Sequence, residues 1–490
     1  MPRNPLSAVL IIIDSLRANS LRNGRSDGPA TPFLDSLEQH TVAFRRAYAT
    51  ECWTLPTHLS MFTGLLPSEH RAHFRTMAYR GRAPTIAELF ARTGYHTEVI
   101  TRNSLFDGTV PGAIRGFGAK ARPLAPLDTA AAPFAIVLAL AKPRVRRLIR
   151  DSGFFHALQK TRRTFLLELA RMGIPADRLA LQHGLERMER LRRAGKPYFL
   201  FLNLYDVHAP YAPSETSPLR SFGSPSGWIE NLSLPIVLPR VCGHAYLRRG
   251  FRLSTRSRAM LLRRYHRAIE LMDAKLADFF GAARGAGLLD DTMIVVTSDH
   301  GEAFGEHGLY LHDASVYNTH LRVPLWIHHP GRAPGIVEDV VSTRDLFTLL
   351  RRCAVGDELR GTLLAGAARQ AAPAALAEHF HYAEARELLP EYSLDLAAAV
   401  VGRHKAISRG ARLELYDVER DPSELEPQEM CLDDVVSAWR RDGAPRAAIG
   451  LAAQHLRRWQ AATAGLGRAA ENTGAGERAA NACAAPRWSA

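Results

Sequence analysis

The sequence predicts an α/β fold built on a mostly parallel sheet flanked by helices, with a small C-terminal α+β subdomain. Two observations carry the prediction. Three short, almost wholly apolar runs, Ala8 to Ile13, Tyr198 to Leu204 and Met293 to Thr297, read as strands buried on both faces. Stretches with apolar residues at helical spacing separate them, which is the alternation of an α/β chain. A third observation concerns function: each run leads into acids or imidazoles, namely Asp14, then Asp206 and His208, then Asp299 and His300. Ligands of doubly wound sheets bind beyond the carboxyl ends of the strands, so these ends point to one site.

Taken in order, Ala8 to Ile13 is rich in β-branched residues and stops at Asp14. Helices are expected over Pro32 to Gln39, Pro56 to Phe62, Thr85 to Thr93 and Arg256 to Ala286, the first two opened by proline in the first turn. Residues 118 to 190 and 212 to 255 are rich in Arg, Ala and Pro, break the rhythm, and read as insertions containing some helix. The catalytic α/β domain is thus expected over 1–365. Beyond it EYSLDLAAAVV, HKAISR and RLELYDVERDPSE read as short strands of a subdomain over 366–464. Residues 465–490 are Gly- and Ala-rich with few large apolar side chains, the composition of a disordered tail.

Composition excludes more than it names. With 490 residues, 46% hydrophobic and 23% charged, the chain suits a soluble globular protein. The net charge of +14 comes mainly from arginines spread along the chain, without the aromatic-interleaved basic stretch of a nucleic-acid-binding module. An anionic small substrate is the expected partner, with no specific nucleic acid. Cys52, Cys242, Cys353, Cys431 and Cys483 are too scattered for a disulfide framework or a Cys-based zinc site. The first residues lack a cleavage site and a typical signal h-region, and Pro133 to Ala141 is too short to span a bilayer. A cytoplasmic protein with no transmembrane segment is expected, its oligomeric state left open.

The chemistry rests on a combination. A carboxylate at the end of a rigid strand gives a hard cation an oxygen ligand with little orientational freedom. Asp14 and Asp299 are placed in that way, and His300 adds an imidazole in the turn Asp299-His300-Gly301-Glu302. One such Asp alone would more often be a turn or cap residue. In Thr54-Leu55-Pro56-Thr57-His58 a hydroxyl sits at a helix start, and Gly64 marks the stop. The plain reading of Thr54 is an N-cap. The sharper one is a hydroxyl held beside a cation at a helix N-terminus, aimed at an anionic group.

The segments IIIDSLRANSL, WTLPTHLSMFTGLLPSEH, YFLFLNLYDVHAPYAP and TSDHGEAFGEHGLYLHDASVYNTHLRVPLWIH resemble, in order and spacing, four signatures of the sulfatase-like branch of the alkaline phosphatase superfamily. GYHTEVITRN, the Asp345 to Leu350 helix and ELYDVERDPSE are similar to its secondary signatures. The resemblance implies an alkaline-phosphatase-like mixed, mostly parallel sheet and a metal-dependent ester hydrolase. It also implies one divalent cation (Ca, Mn, Mg or Zn) on Asp14, Asp299, His300 and Thr54, with Thr54 as nucleophile. His58 falls where sulfatases have arginine. His208 and His312 resemble positions that touch the transferred group or protonate the leaving oxygen. Arg17 is expected as a charge partner of the metal acid and, with Asn103, as a substrate contact. A second metal is left open, with Asp206, His208, Glu306, His307 and His312 as donors.

One departure steers the functional expectation. Sulfatases oxidise a Cys or Ser two residues before the motif proline to formylglycine, and Thr54 cannot be converted in that way. Cys52 lies four residues before Pro56, outside that frame. The expectation is therefore hydrolysis or transfer of a phosphate, phosphodiester or phosphonate ester through Thr54. Sulfuric ester hydrolysis is the alternative, and a non-catalytic anion-binding relative is the third reading.

Overall fold

The computed structural model describes residues 5–21, 28–121, 176–209, 211, 253–312, 314–356, 373–381, 394–410 and 412–471. Its main sheet is built from β1 (Ser7–Ile13), β2 (Val42–Tyr48), β3 (His96–Thr101), β4 (Ala119–Ala121), β5 (Tyr198–Leu204), β6 (Thr292–Thr297), β9 (Arg322–His328), β10 (Gly335–Val337) and β11 (Val341–Ser342). A separate two-stranded ribbon joins β7 (Ala303–Phe304) to β8 (Tyr310–Leu311). The order across the main sheet is β10-β2-β9-β6-β1-β5-β3-β4, with β11 also on β2. All pairings are parallel except those of β9, which runs antiparallel to β2 and β6. The mostly parallel sheet expected from the sequence is what forms.

Helices α1 (Pro32–His40), α2 (Thr54–Thr63), α3 (Pro67–His70), α4 (Ile86–Arg92), α5 (Ala176–Arg193), α6 (Thr255–Gly285), α7 (Asn318–Leu321) and α8 (Leu346–Ala354) surround the sheet. Alternation along the strands sends side chains to two cores. Leu10, Ile12, Phe199, Phe201 and Val295 face a layer containing Leu55, Leu59 and Phe62 of α2, Phe90 of α4 and Leu349 of α8. Val9, Ile11, Leu200, Leu202, Ile294 and Val296 face Leu181 of α5 and Ile269, Met272 and Leu276 of α6. Every residue of β1 is buried, which is why its sequence shows no alternation. Burial of one such Ile or Phe side chain contributes roughly 1.5–3 kcal/mol, so the sheet centre is a rigid platform.

Two sequence expectations shift. The stretch 118 to 190 contributes β4 to the sheet edge, and α5 packs on β5 through Gly184, whose missing side chain admits Leu202. Those parts belong to the core fold; residues 122–175 and 212–252 of the two expected insertions lie outside the described residues. The second sheet, β12 (Ala374–His379), β13 (Leu396–Val401), β14 (His404–Arg409), β15 (Arg412–Asp417) and β16 (Gln428–Met430), is antiparallel throughout. One face, with Ala398, Val400 and Tyr416, joins the main core; the other is covered by α9 (Leu432–Arg441) and α10 (Arg446–Glu471). That last helix runs past residue 465, where the sequence suggests a tail.

Candidate active site

β1 sits between β5 and β6 with Ile13 opposite Leu204 and Ile12 opposite Thr297, so the three carboxyl ends are level. Asp14 extends the ladder by donating its backbone N–H to Leu204 O at 2.9 Å. Ser15 then takes φ +65°, the left-handed region. That turn lets its backbone N–H donate to Asp299 Oδ1 at 3.2 Å, while its hydroxyl donates to Asp14 Oδ1 at 3.1 Å. After β6, Ser298 Oγ donates to Ile13 O at 2.7 Å and accepts from Leu16 N–H at 2.9 Å, locking the two loops together. Gly301 must be glycine: an added Cβ would lie 2.1 Å from Thr319 O.

Asp14, Asp299 and His300 are all fully buried, and His300 Nε2 lies 3.7 Å from Asp14 Oδ1 and 3.4 Å from Asp299 Oδ2. His300 Nδ1–H donates to Gly301 O at 2.9 Å, which leaves the Nε2 lone pair facing the carboxylates. Burial, and then the neighbouring Asp299, push the Asp14 carboxyl well above the usual range. Burial acts the same way on Asp299, but His300, His58 and the Ser15 N–H outweigh it and hold that group low. Burial lowers His300 too, keeping its imidazole neutral. Asp299 Oδ2 has no hydrogen-bond partner among the described residues. Two buried acids, a neutral imidazole with a directed lone pair and an orphaned carboxylate oxygen are what a divalent cation would satisfy.

Thr54 joins this group from α2. The N-cap of α2 is Trp53, in extended conformation, and Thr54 is already inside the helix, so the plain N-cap reading is overturned. Its Oγ1 lies instead 3.3 Å from His300 Nε2. His58, one turn on, donates Nδ1–H to Thr54 O at 2.7 Å and lies 3.6 Å from Asp299 Oδ2. It is enclosed by Phe62, Phe106 and Phe201, and burial lowers its pKa.

His312 donates Nδ1–H to Glu302 Oε1 at 3.0 Å, and its ring lies 4.3 Å from that of His300 and 4.9 Å from that of His208. His208 donates Nδ1–H to Ala209 O at 2.7 Å, and burial, followed by the proximity of His312, pushes it down to about 3. Asn103, expected as a substrate contact, donates through Nδ2 to Asp14 Oδ2 at 3.3 Å and so stands directly beside that acid.

Arg17 requires a correction. Expected as the partner of Asp14, it pairs with Glu306 Oε1 at 2.8 Å, donates to Glu302 O at 3.0 Å and to Ser20 Oγ at 2.6 Å, and lies over the Phe304 ring. The φ-positive Ser15 turns the chain away between Asp14 and Arg17. Of the donors considered for a second metal, only His208 and His312 lie side by side. Asp206 is taken by Arg102 and Lys275, Glu306 by Arg17, and His307 stacks on Tyr317 and hydrogen-bonds Ser423 O. Sequence reasoning missed Glu302, although it stands in the quoted turn, and it missed Ser15 and Ser298 because neighbours of metal acids carry no distinct signal.

Fold and site together define a metal-dependent hydrolase of acid esters. The sulfatase family profile matches residues 7–356, and the chain belongs to that family, within the alkaline phosphatase superfamily. Among curated proteins it is similar to choline-sulfatase of Rhizobium meliloti, 24% identical over 85% of this chain and 81% of that one. Iduronate 2-sulfatase of Mus musculus is 22% identical over 70% of this chain and 63% of its own length. The multifunctional alkaline phosphatase superfamily protein PehA of Trinickia caryophylli is 26% identical over 68% and 70%. In fold the chain resembles the phosphonate monoester hydrolase of Agrobacterium radiobacter, with TM-score 0.57, 20% identity, and coverage of 86% and 91%. It is a sulfatase-like, metal-dependent ester hydrolase. Among the described residues no helix is long and apolar enough to cross a membrane.

Proposed function

We propose that the chain hydrolyses phosphoric or phosphonic esters through a covalent intermediate on Thr54. The observation that carries this is Thr54 Oγ1 at 3.3 Å from His300 Nε2, at the start of α2, on a residue that cannot become formylglycine. A divalent cation on Asp14, Asp299 and His300 would neutralise the anionic ester oxygen and acidify the Thr54 hydroxyl. Thr54 enters as the alkoxide, its proton already given up to solvent, and its Oγ1 attacks phosphorus; the Thr54 O–P bond forms as the bond to the ester oxygen breaks. The α2 N-terminus favours the anion through its unpaired backbone N–H groups.

The leaving oxygen needs a proton. Of the two candidates, His208 is pushed down to about 3 and is neutral at physiological pH. His312, whose ring is held in place by the Glu302 carboxylate at 3.0 Å, is the proton carrier in this reading. In the second half, water attacks the phosphothreonine, His312 takes its proton and is again the acid, and Thr54 leaves as the alkoxide that began the cycle. His58 supports Thr54 and Asp299 from within its aromatic enclosure.

A second reading, sulfuric ester hydrolysis, is favoured by kinship: the family match and the choline-sulfatase and iduronate 2-sulfatase similarity. Turnover of aryl phosphate, phosphodiester, phosphonate and sulfate esters, each with Mg, Mn, Zn or Ca, decides between them. We expect the highest kcat/KM on a phosphorus ester. A preference for the sulfate ester returns the second reading to first place.

A further inference from the structure

A second convergence of donors lies outside the machinery described above. Glu51 and Cys52 occupy the segment between β2 and α2, immediately before Trp53 and Thr54, and His379 is the last residue of β12 in the C-terminal sheet. The two segments are tied by Glu378 N–H donating to Thr50 O at 2.9 Å. Glu51 Oε1 and His379 Nδ1 are 2.8 Å apart, Cys52 Sγ and His379 Nδ1 3.4 Å, and Cys52 Sγ and Glu51 Oε1 3.3 Å. Glu51 and Cys52 are fully buried and His379 is 2% exposed.

This geometry separates two kinds of chemistry. A nucleophilic relay places thiol and carboxylate on opposite nitrogens of the imidazole, so that a proton passes through the ring. Here both face the same nitrogen, Nδ1, which a relay cannot use. A metal centre requires that all donors face one point. With Zn–N and Zn–O bonds of about 2.0–2.2 Å and Zn–S of about 2.3 Å, tetrahedral angles put donors roughly 3.3–3.6 Å apart. Both contacts of Cys52 Sγ fall in or at the edge of that range, and the Glu51 to His379 hydrogen bond needs to open by about 0.5 Å to enter it.

The electrostatics point the same way. Glu51 Oε2 is buried without a hydrogen-bond partner among the described residues, and so is Thr50 Oγ1 on the preceding residue. A carboxylate withdrawn from water in this manner is costly unless a cation offsets it. Thiolate, carboxylate and neutral imidazole around a divalent ion sum to zero charge.

We propose that Glu51, Cys52 and His379 form a metal site for a borderline-soft divalent cation of the zinc class, distinct from the oxygen-rich centre at Asp14 and Asp299. Thiolate and imidazole select zinc over calcium or magnesium. Its place in the fold makes it a clamp: it fastens the end of β12 to the segment that leads into the nucleophile helix, with Glu51 Oε2, which has no hydrogen-bond partner among the described residues, available for the fourth position.

Cobalt provides a test independent of turnover, because a thiolate bound to Co(II) gives a near-ultraviolet charge-transfer band that carboxylate and imidazole ligands do not. Full-length protein produced in cobalt-supplemented medium should show that band together with cobalt by elemental analysis. Asp299→Ala and Cys431→Ser should keep the band, and Cys52→Ser and His379→Gln should lose it with one equivalent of metal. Cobalt-loaded wild-type protein without the band overturns the proposal whatever the variants do. So does a band that survives Cys52→Ser or disappears in Cys431→Ser. Neither result bears on Thr54, since activity is not read.

Discussion

Thr54 Oγ1 and His300 Nε2 stand 3.3 Å apart although they are 246 positions apart in the chain, one inside the first turn of α2 and the other just beyond β6. The contact exists because the Thr54 side chain is spared from capping its helix and because His300 spends its Nδ1–H on Gly301 O. The proposed nucleophile and the proposed metal ligands therefore meet at one imidazole nitrogen.

Arg17 ties the loop after β1 to Glu302 and Glu306. Replacing it by Met leaves the partly buried Glu306 carboxylate without its guanidinium and removes the contacts to Ser20 and Glu302 O. We expect a loss of about 2–3 kcal/mol, at the lower end for a broken buried pair because Glu306 keeps some solvent. Denaturant unfolding should show this while KM stays near wild type. A large rise in KM with unchanged stability would restore Arg17 as a substrate contact.

Asn103 orients Asp14 through the Nδ2 contact at 3.3 Å. Asn103→Ala should lower affinity for the activating cation by about 10- to 100-fold, the usual effect of removing a residue that positions a ligand. Titrating the metal-depleted variant with cation, read by activity and by calorimetry, measures it. Unchanged affinity with a raised KM would assign Asn103 to the substrate instead.

How much of this was legible in the sequence depends on where the information sits. Asp14 and Asp299 were legible because each terminates a strand buried on both faces, where hydrophobic runs are unmistakable. Thr54 was placed, but its N-cap reading failed because helix bounds shift by a residue and Trp53 takes that position. Arg17 was misread because proximity in sequence to Asp14 was taken for proximity in space, and a single positive φ at Ser15 undoes it. Long-range pairings, such as Asp206 with Lys275 and Cys52 with His379, leave no local pattern.

His70 makes the nucleophile helix acid-sensitive. Its Nδ1 accepts from Ala72 N–H and its Nε2–H faces Pro56 O at 3.1 Å, and burial pushes its pKa down to about 3. The folded value lies below the unfolded one of about 6.5, so between the two the unfolded chain holds a proton that the native chain does not. Stability from this group is complete above about pH 6.5 and is lost as pH falls toward 3, on the order of 3 kcal/mol by about pH 4. Urea unfolding of His70→Gln across that window should show a shallower fall than wild type. Parallel slopes would mean that His70 is not held neutral.

His312 should matter in proportion to the need for a proton. For His312→Asn we expect a loss of about 10²–10⁴-fold in kcat on esters with alkoxide leaving groups, and far less on aryl esters with acidic leaving groups. Glu302→Gln should show the same leaving-group dependence in weaker form, since it withdraws the carboxylate that faces Nδ1. An equal loss on both substrate types would make His312 a structural residue.

The most direct measurement is of the covalent intermediate itself. Wild-type protein turning over an aryl phosphonate monoester should be quenched in acid and digested, and the Thr54 peptide read by mass spectrometry. The phosphonyl group retains its organic substituent, so its mass cannot be confused with a sulfuryl adduct. We predict a phosphonyl adduct on Thr54, absent in Thr54→Ala, which should itself lose most turnover. An unmodified Thr54 peptide under burst conditions, together with a fully active Thr54→Ala, would contradict the account.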